Sequence, residues 1–244
     1  MKTRYLFLIL FLTAFCSQVF ASVKSDLESA NKNGNSVFLV VTDPNVTVTD
    51  KALEIANKAK AGVTNSIVLQ MNRSDAANAD LVAKYRLAGA PLPLILVIAP
   101  NGIVSAGYTL NQATPELLAK AVPSPKKSEV LKTLSDGKSV FIVVTGKSMS
   151  GKNNVMNTCQ QACIEMENNA KMVEVSLDDA REKEFLSELK VQMNAKEPVT
   201  YVINSKGQIT GTFGDDVNAT TLVASAKKVA ATGCCPGGSK SGCK

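Results

Sequence analysis

The chain has 244 residues, 45% of them hydrophobic and 20% charged, with a formal net charge of +6 and neither His nor Trp. The absence of His excludes imidazole acid/base catalysis, Ser–His triads and His-ligated metal sites together. The positive charge is dispersed, with Lys126-Lys127 and Lys227-Lys228 as its doublets. Lacking interleaved aromatics or a longer basic block, it reads as solvated faces and not as a nucleic-acid footprint.

Lys2 and Arg4 precede an apolar run from Tyr5 to Phe15, and Val19-Phe20-Ala21 offers a cleavage site. Residues 1–21 therefore read as a secretory signal peptide, too short in its apolar core for a membrane span. Phe15 before Cys16 spoils a lipobox, so the expected product is exported, periplasmic or secreted, with no membrane attachment once the signal is removed. Removing the segment takes away Lys2 and Arg4 and lowers the net charge to +4.

Two apolar strands follow, and they are nearly the same strand. Ser36–Thr42 reads SVFLVVT and Ser139–Thr145 reads SVFIVVT, each suited to burial on both faces of a sheet. An amphipathic segment precedes each, with Ser25 and Glu28 spaced as a capping box and Gly34 stopping the helix in the first copy, and Ser128 to Gly137 repeating the pattern. Ser25–Thr42 match Ser128–Thr145 at an offset of 103, and Ile67/Met172, Pro93/Pro198, Gly102/Gly207 and Tyr108/Phe213 match at 105. This is an internal duplication, with both extra residues expected between the first strand and the next. Each copy reads as helix, strand, helix, strand, helix, strand, strand, helix. Pro93 leads into Leu94–Ala99, Pro100-Asn101-Gly102 makes a turn, and Thr114-Pro115 opens the closing helix. Val122-Pro-Ser-Pro-Lys-Lys127 has the composition of a short stiff linker. The domains expected are 22–122 and 127–231, with a Cys-rich tail at 232–244.

This order, with a proline just before a strand that turns into an antiparallel partner, resembles the thioredoxin fold, over roughly residues 24–122 and 127–231. The resemblance implies an α/β protein of two tandem thioredoxin-like domains, each a mixed central sheet flanked by helices. It also implies cis peptides before Pro93 and Pro198. The family's Cys-x-x-Cys pair, a few residues past the first core strand, is missing. Asp43-Pro44-Asn45 stands there in the first copy and Gly146-Lys147-Ser148 in the second, so the ordinary oxidoreductase site is absent.

Cys159 and Cys163 are four residues apart and share one face of a helix. A helix beginning near Ser150 would put Val155, Cys159, Ala162, Cys163 and Met166 on a buried stripe, with inert thiols. A helix capped by Thr158, with Gln161 completing a capping box, would put Cys159 in its first turn, where the dipole lowers a thiol pKa. In the second form Cys159-Gln-Gln-Ala-Cys163 resembles the Cys-x-x-x-Cys of Sco-type copper chaperones, although that family adds a His ligand. The tail brings Cys234, Cys235 and Cys243. The five cysteines left after signal removal point either to bridges tying the tail down or to a soft-ligand site for Cu(I) or Zn(II). The resemblance implies that Glu197, before Pro198, faces the region of Cys159 and offers an oxygen ligand or outer partner. Gly146–Lys152 has the spacing of a phosphate-binding loop, but Asn153 stands where the Mg²⁺-binding Ser or Thr belongs.

The functional expectation is an exported tandem thioredoxin-like protein. Its second domain and tail would carry thiol-redox or soft-metal chemistry, with a redox, metal-delivery or other protein partner. The alternative is a non-catalytic binding scaffold whose cysteines only bridge. It resembles the redox-inactive thioredoxin domains of larger protein-folding factors and calsequestrin-like proteins.

Overall fold

The computed structural model of the chain describes residues 22–229, so the expected signal segment and the tail cysteines lie outside them. The first half runs α1 (Val23–Lys32), β1 (Ser36–Thr42), α2 (Thr49–Ala61), β2 (Ser66–Asn72), α3 (Ala79–Lys84), β3 (Leu94–Ile98), β4 (Val104–Thr109) and α4 (Pro115–Lys120). The second half repeats it as α5 (Pro125–Ser135), β5 (Ser139–Thr145), α6 (Lys152–Glu165), β6 (Ala170–Ser176), α7 (Lys183–Glu188), β7 (Val199–Ile203), β8 (Ile209–Phe213) and α8 (Ala219–Lys227).

Each half closes its own four-stranded mixed sheet, in the orders β2-β1-β3-β4 and β6-β5-β7-β8. The repeated apolar strand pairs parallel with one neighbour and antiparallel with the other, and all seven of its residues are buried. Alternation along β1 feeds two cores. Val37, Leu39 and Val41 meet Leu27, Ala30 and Leu81 of α1 and α3, while Phe38 and Val40 meet Ala52, Ala56, Ala59 and Leu118 of α2 and α4. In the same way β5 divides its side chains between α5/α7 and α6/α8. A central strand parallel to one neighbour, an antiparallel hairpin on its other side and helices on both faces constitute the thioredoxin fold, present here twice in tandem.

Caps decide the helix boundaries. Ser22, not Ser25, caps α1 by accepting from the Ser25 amide, and Thr114 caps α4 ahead of Pro115. Ser124 caps α5 with Pro125 at its first position, so the prolines expected in a linker partly belong to the helix, and residues 121–124 join the halves. Glu182 anchors this entry. Its side chain is 1% exposed, and it accepts from the Ser124 hydroxyl (2.5 Å) and the Lys126 amide (3.0 Å). The halves also meet where Asn101 of the β3–β4 turn donates through Nδ2 to the Ser128 carbonyl of α5 (2.8 Å).

The two extra residues of the second copy are not together. Positive-φ positions pair as Gly34/Gly137, Arg86/Lys190 and Gly102/Gly207, offsets of 103, 104 and 105. One insertion lies in the α6–β6 turn, where Glu167 and Asn168 both take positive φ, and the other lies between Lys190 and Pro198. The second insertion corrects the expectation for Pro198. Leu92–Pro93 is cis, whereas Glu197–Pro198 is trans. In the first half the segment before the proline is tied by Arg73, whose Nη1 donates to the carbonyls of Leu87 (3.2 Å) and Ala90 (2.7 Å). The equivalent of Arg73 is Leu177, as both backbone amides donate to the last residue of the central strand, Thr42 or Thr145. Pro198 thus follows a longer approach with no guanidinium to hold it.

Candidate functional site

The place where a thioredoxin fold carries its cysteine pair is the loop leaving the central strand. After β1, Asp43 organises that loop, accepting from the Asn45 amide (3.2 Å), from Asn45 Nδ2 (3.3 Å) and from the Ser74 hydroxyl. The Ser74 bond, followed by the Asn45 amide, holds this carboxyl below its ordinary pKa. After β5 the loop is filled by Met149, which is buried and packs against Gly146. The Lys147 amide donates to Asp178 (2.8 Å), Lys152 pairs with Glu174 (2.8 Å), and an Asp215 carboxylate oxygen crowds Gly151. Three carboxylates and a buried thioether occupy the ground that a phosphate-binding loop would leave open.

The cysteines of the second half lie further on. α6 begins at Lys152 after Gly151, which takes φ +74° and offers no side-chain cap. Thr158 is therefore interior to the helix, and Cys159 sits two turns from its start instead of in the first turn. Val155, Cys159 and Ala162 form the buried stripe and correspond one for one to Ala52, Ala56 and Ala59 of α2. Cys159 is 0% exposed, packed among Phe141, Val143, Val202 and Leu222. Burial raises its thiol pKa from 9.0 to about 11, outweighing the nearby Thr200 hydroxyl, and the neighbouring Cys163 raises it further. Its Sγ lies 3.8 Å from Thr200 Oγ1. Cys163, one turn on, is half-buried, and burial raises its thiol too, opposed by the Met172 amide.

Both thiols are free. Side chains four apart on a helix hold their Cβ atoms about 5–6 Å apart, whereas a disulfide needs about 3.5–4.5 Å. The native α6 cannot close a Cys159–Cys163 bridge without unwinding. The structure thus does not set this pair at a helix start, as Sco-like spacing would require.

Glu197 is exposed and is not among the groups that perturb Cys159. The element that reaches Cys159 from this region is Thr200 on β7, which sequence reasoning missed because the cysteine's depth in α6 had two readings. Glu182 was also missed; its equivalent in the first half is Asn78, whose Nδ2 donates to the Asn72 carbonyl (2.9 Å). Among the described residues, no group of three or more His, Cys, Asp or Glu is placed to hold a metal ion. Cys234, Cys235 and Cys243 lie outside the described residues.

A cleft of about 730 Å³ opens where the halves meet, between Pro100 and Asn101 of the first and α5 of the second. No sequence signal marks it, since it arises from the docking of α5 against the β3–β4 turn.

No family model and no curated protein matches the chain. Among solved structures, the first two thioredoxin domains of Saccharomyces cerevisiae Eps1p are similar to it at 13% identity, covering 85% of this chain and 96% of that one, with a TM-score of 0.31. Zinc-bound human ERp44 is similar at 12% identity over 84% of this chain and 56% of that one, with a TM-score of 0.36. The NTD_N/C domain of the alkylhydroperoxide reductase AhpF from Enterococcus faecalis is similar at 11% identity over 83% and 98%, with a TM-score of 0.26. The fold assignment rests on the strand order and helix placement described above.

Proposed function

We propose that this chain is an exported, redox-inactive tandem thioredoxin-like scaffold that holds a protein partner. The observation that carries this reading is Cys159. It fills the core position that Ala56 fills in the first half, with its thiol pushed up to about 11. Only a thiolate attacks a disulfide, and a buried thiol with a raised pKa supplies almost none near neutral pH. The export part of the proposal is supported by the charged, then apolar, then small-residue order of residues 1–21. Among the described residues, no helix is long and apolar enough to cross a membrane.

The test is insulin reduction under dithiothreitol, combined with mass mapping of alkylated cysteines on native and unfolded protein. Turnover at background and alkylation of Cys159 only after unfolding are the expected results. Turnover above background that disappears in Cys159→Ser would overturn the reading.

A further inference from the structure

The cleft between the halves contains polar groups that the protein itself leaves unused. Ser36, at the start of β1, is 4% exposed, and Ser128, on α5, is 5% exposed. Both line the cleft, and among the described residues neither hydroxyl makes a hydrogen bond, although the backbone groups of both residues do. Both hydroxyls are open to a ligand in the hollow, and among the described residues the buried Asn31 Oδ1, in the wall of an adjoining hollow, has no hydrogen-bond partner.

The charge around the hollow is uneven. Lys171 is engaged by Glu129 (2.8 Å) and Lys132 by Asp136 (2.5 Å), but Lys138, half-buried in the wall, has no ion-pair partner among the described residues. The floor is apolar and lacks backbone donors, since Pro100, Pro123 and Pro125 supply it. Asn101, Lys132 and Asp136 also line an adjoining hollow of about 470 Å³, which adds Lys84 and Arg86. Neither of these has an ion-pair partner among the described residues; the Lys84 ammonium lies 5.1 Å from the Tyr85 ring centre. Together the two hollows present five cations against two carboxylates, along a path crossed by the contact of Asn101 with α5.

We infer that this trough binds an extended acidic peptide segment of a partner protein. An extended chain offers alternating N–H and C=O groups that serine hydroxyls can both accept from and donate to. Its aliphatic side chains pack on the proline floor, and its carboxylates meet Lys138, Lys84 and Arg86. Two adjoining hollows suit a strand-like ligand better than a single small anion, which would fill one of them. The inference deepens the scaffold reading by stating what is held. Peptide binding can fail while the thiols remain inert, so its test and the insulin test fail separately.

The experiment is fluorescence anisotropy with the full chain and a labelled, cysteine-free peptide alternating Glu and Val. A Lys/Val peptide and free succinate serve as comparison probes. Saturable binding of the Glu/Val peptide, weakened by added salt and absent for the Lys/Val peptide, is expected. Lys138→Glu should weaken binding about tenfold or more, because a like charge then faces the carboxylates. Ser36→Ala and Ser128→Ala should each weaken it about 2–10-fold, the range for one hydrogen bond. Lys51→Glu, on the distant α2, should leave it unchanged. Absence of Glu/Val binding, undiminished binding by Lys138→Glu protein with native circular dichroism, or equal displacement by succinate at peptide-like concentrations would each overturn the inference.

Discussion

Cys159 of α6 stands where Ala56 stands in α2, on the same buried stripe and under the same strand residues of the other copy. A thiol in that place is a packing group slightly larger than a methyl. Cys159→Ala should therefore cost only about 1 kcal/mol, whereas Cys159→Asp should cost several, because a carboxylate there has no partner to replace water. Urea midpoints of the two variants check this.

The same thiol makes stability depend on alkaline pH. Its pKa is 9.0 as a free side chain and about 11 in the fold, so the folded state holds its proton more tightly. That contribution is complete below pH 9 and is lost as pH rises through 11, because the unfolded chain ionises first. The loss is on the order of 2–3 kcal/mol. Unfolding at pH 8 and at pH 10.5 should show a steeper decline in the wild type than in Cys159→Ala, which lacks the titrating group.

Glu182 should be costly to remove. Truncation leaves the Lys126 amide and the Ser124 hydroxyl without their acceptor beneath the entry to α5. Glu182→Ala should destabilise the second half by about 2–3 kcal/mol. It should also speed proteolysis within residues 121–124, and limited digestion followed by mass analysis reads this directly.

Arg73 has no cationic counterpart in the second half, where Leu177 takes its place, and its removal should affect one segment. Arg73→Leu installs the residue type found at 177 and releases the carbonyls of Leu87 and Ala90. Hydrogen exchange in residues 87–92 should accelerate, with a loss of about 1.5–3 kcal/mol in the first half. Exchange in β7 should stay as it is.

The fold was legible because duplication repeats its punctuation. SVFLVVT and SVFIVVT mark the two central strands, and Gly34/Gly137 and Gly102/Gly207 mark turns that need positive φ. The candidate site was not, for two physical reasons. α6 starts after a left-handed glycine without a polar cap, so the Thr158-x-x-Gln161 pattern competed with the true boundary and lost to core packing. The extra residue before Pro198 is placed too early by residue type, which matches Ile67 with Met172, whereas the strand register makes Met172 the equivalent of Val68, at an offset of 104. Its position sent the approach to Pro198 on a different path and left Glu197 in solvent. The cleft between the halves has no local signature, because Ser36 and Ser128 become neighbours only through tertiary docking.

The depth of Cys159 also sets an order of events. In an oxidising compartment an unfolded chain exposes this thiol alongside every other, and any bridge formed then holds it where the native α6 cannot accept it. Once the helix has docked on β5, the same thiol is out of reach of disulfide carriers. Native molecules are therefore those in which collapse outran oxidation or in which an early bridge was exchanged back to the thiol before α6 docked, and a reduced Cys159 in protein recovered from such a compartment marks that order.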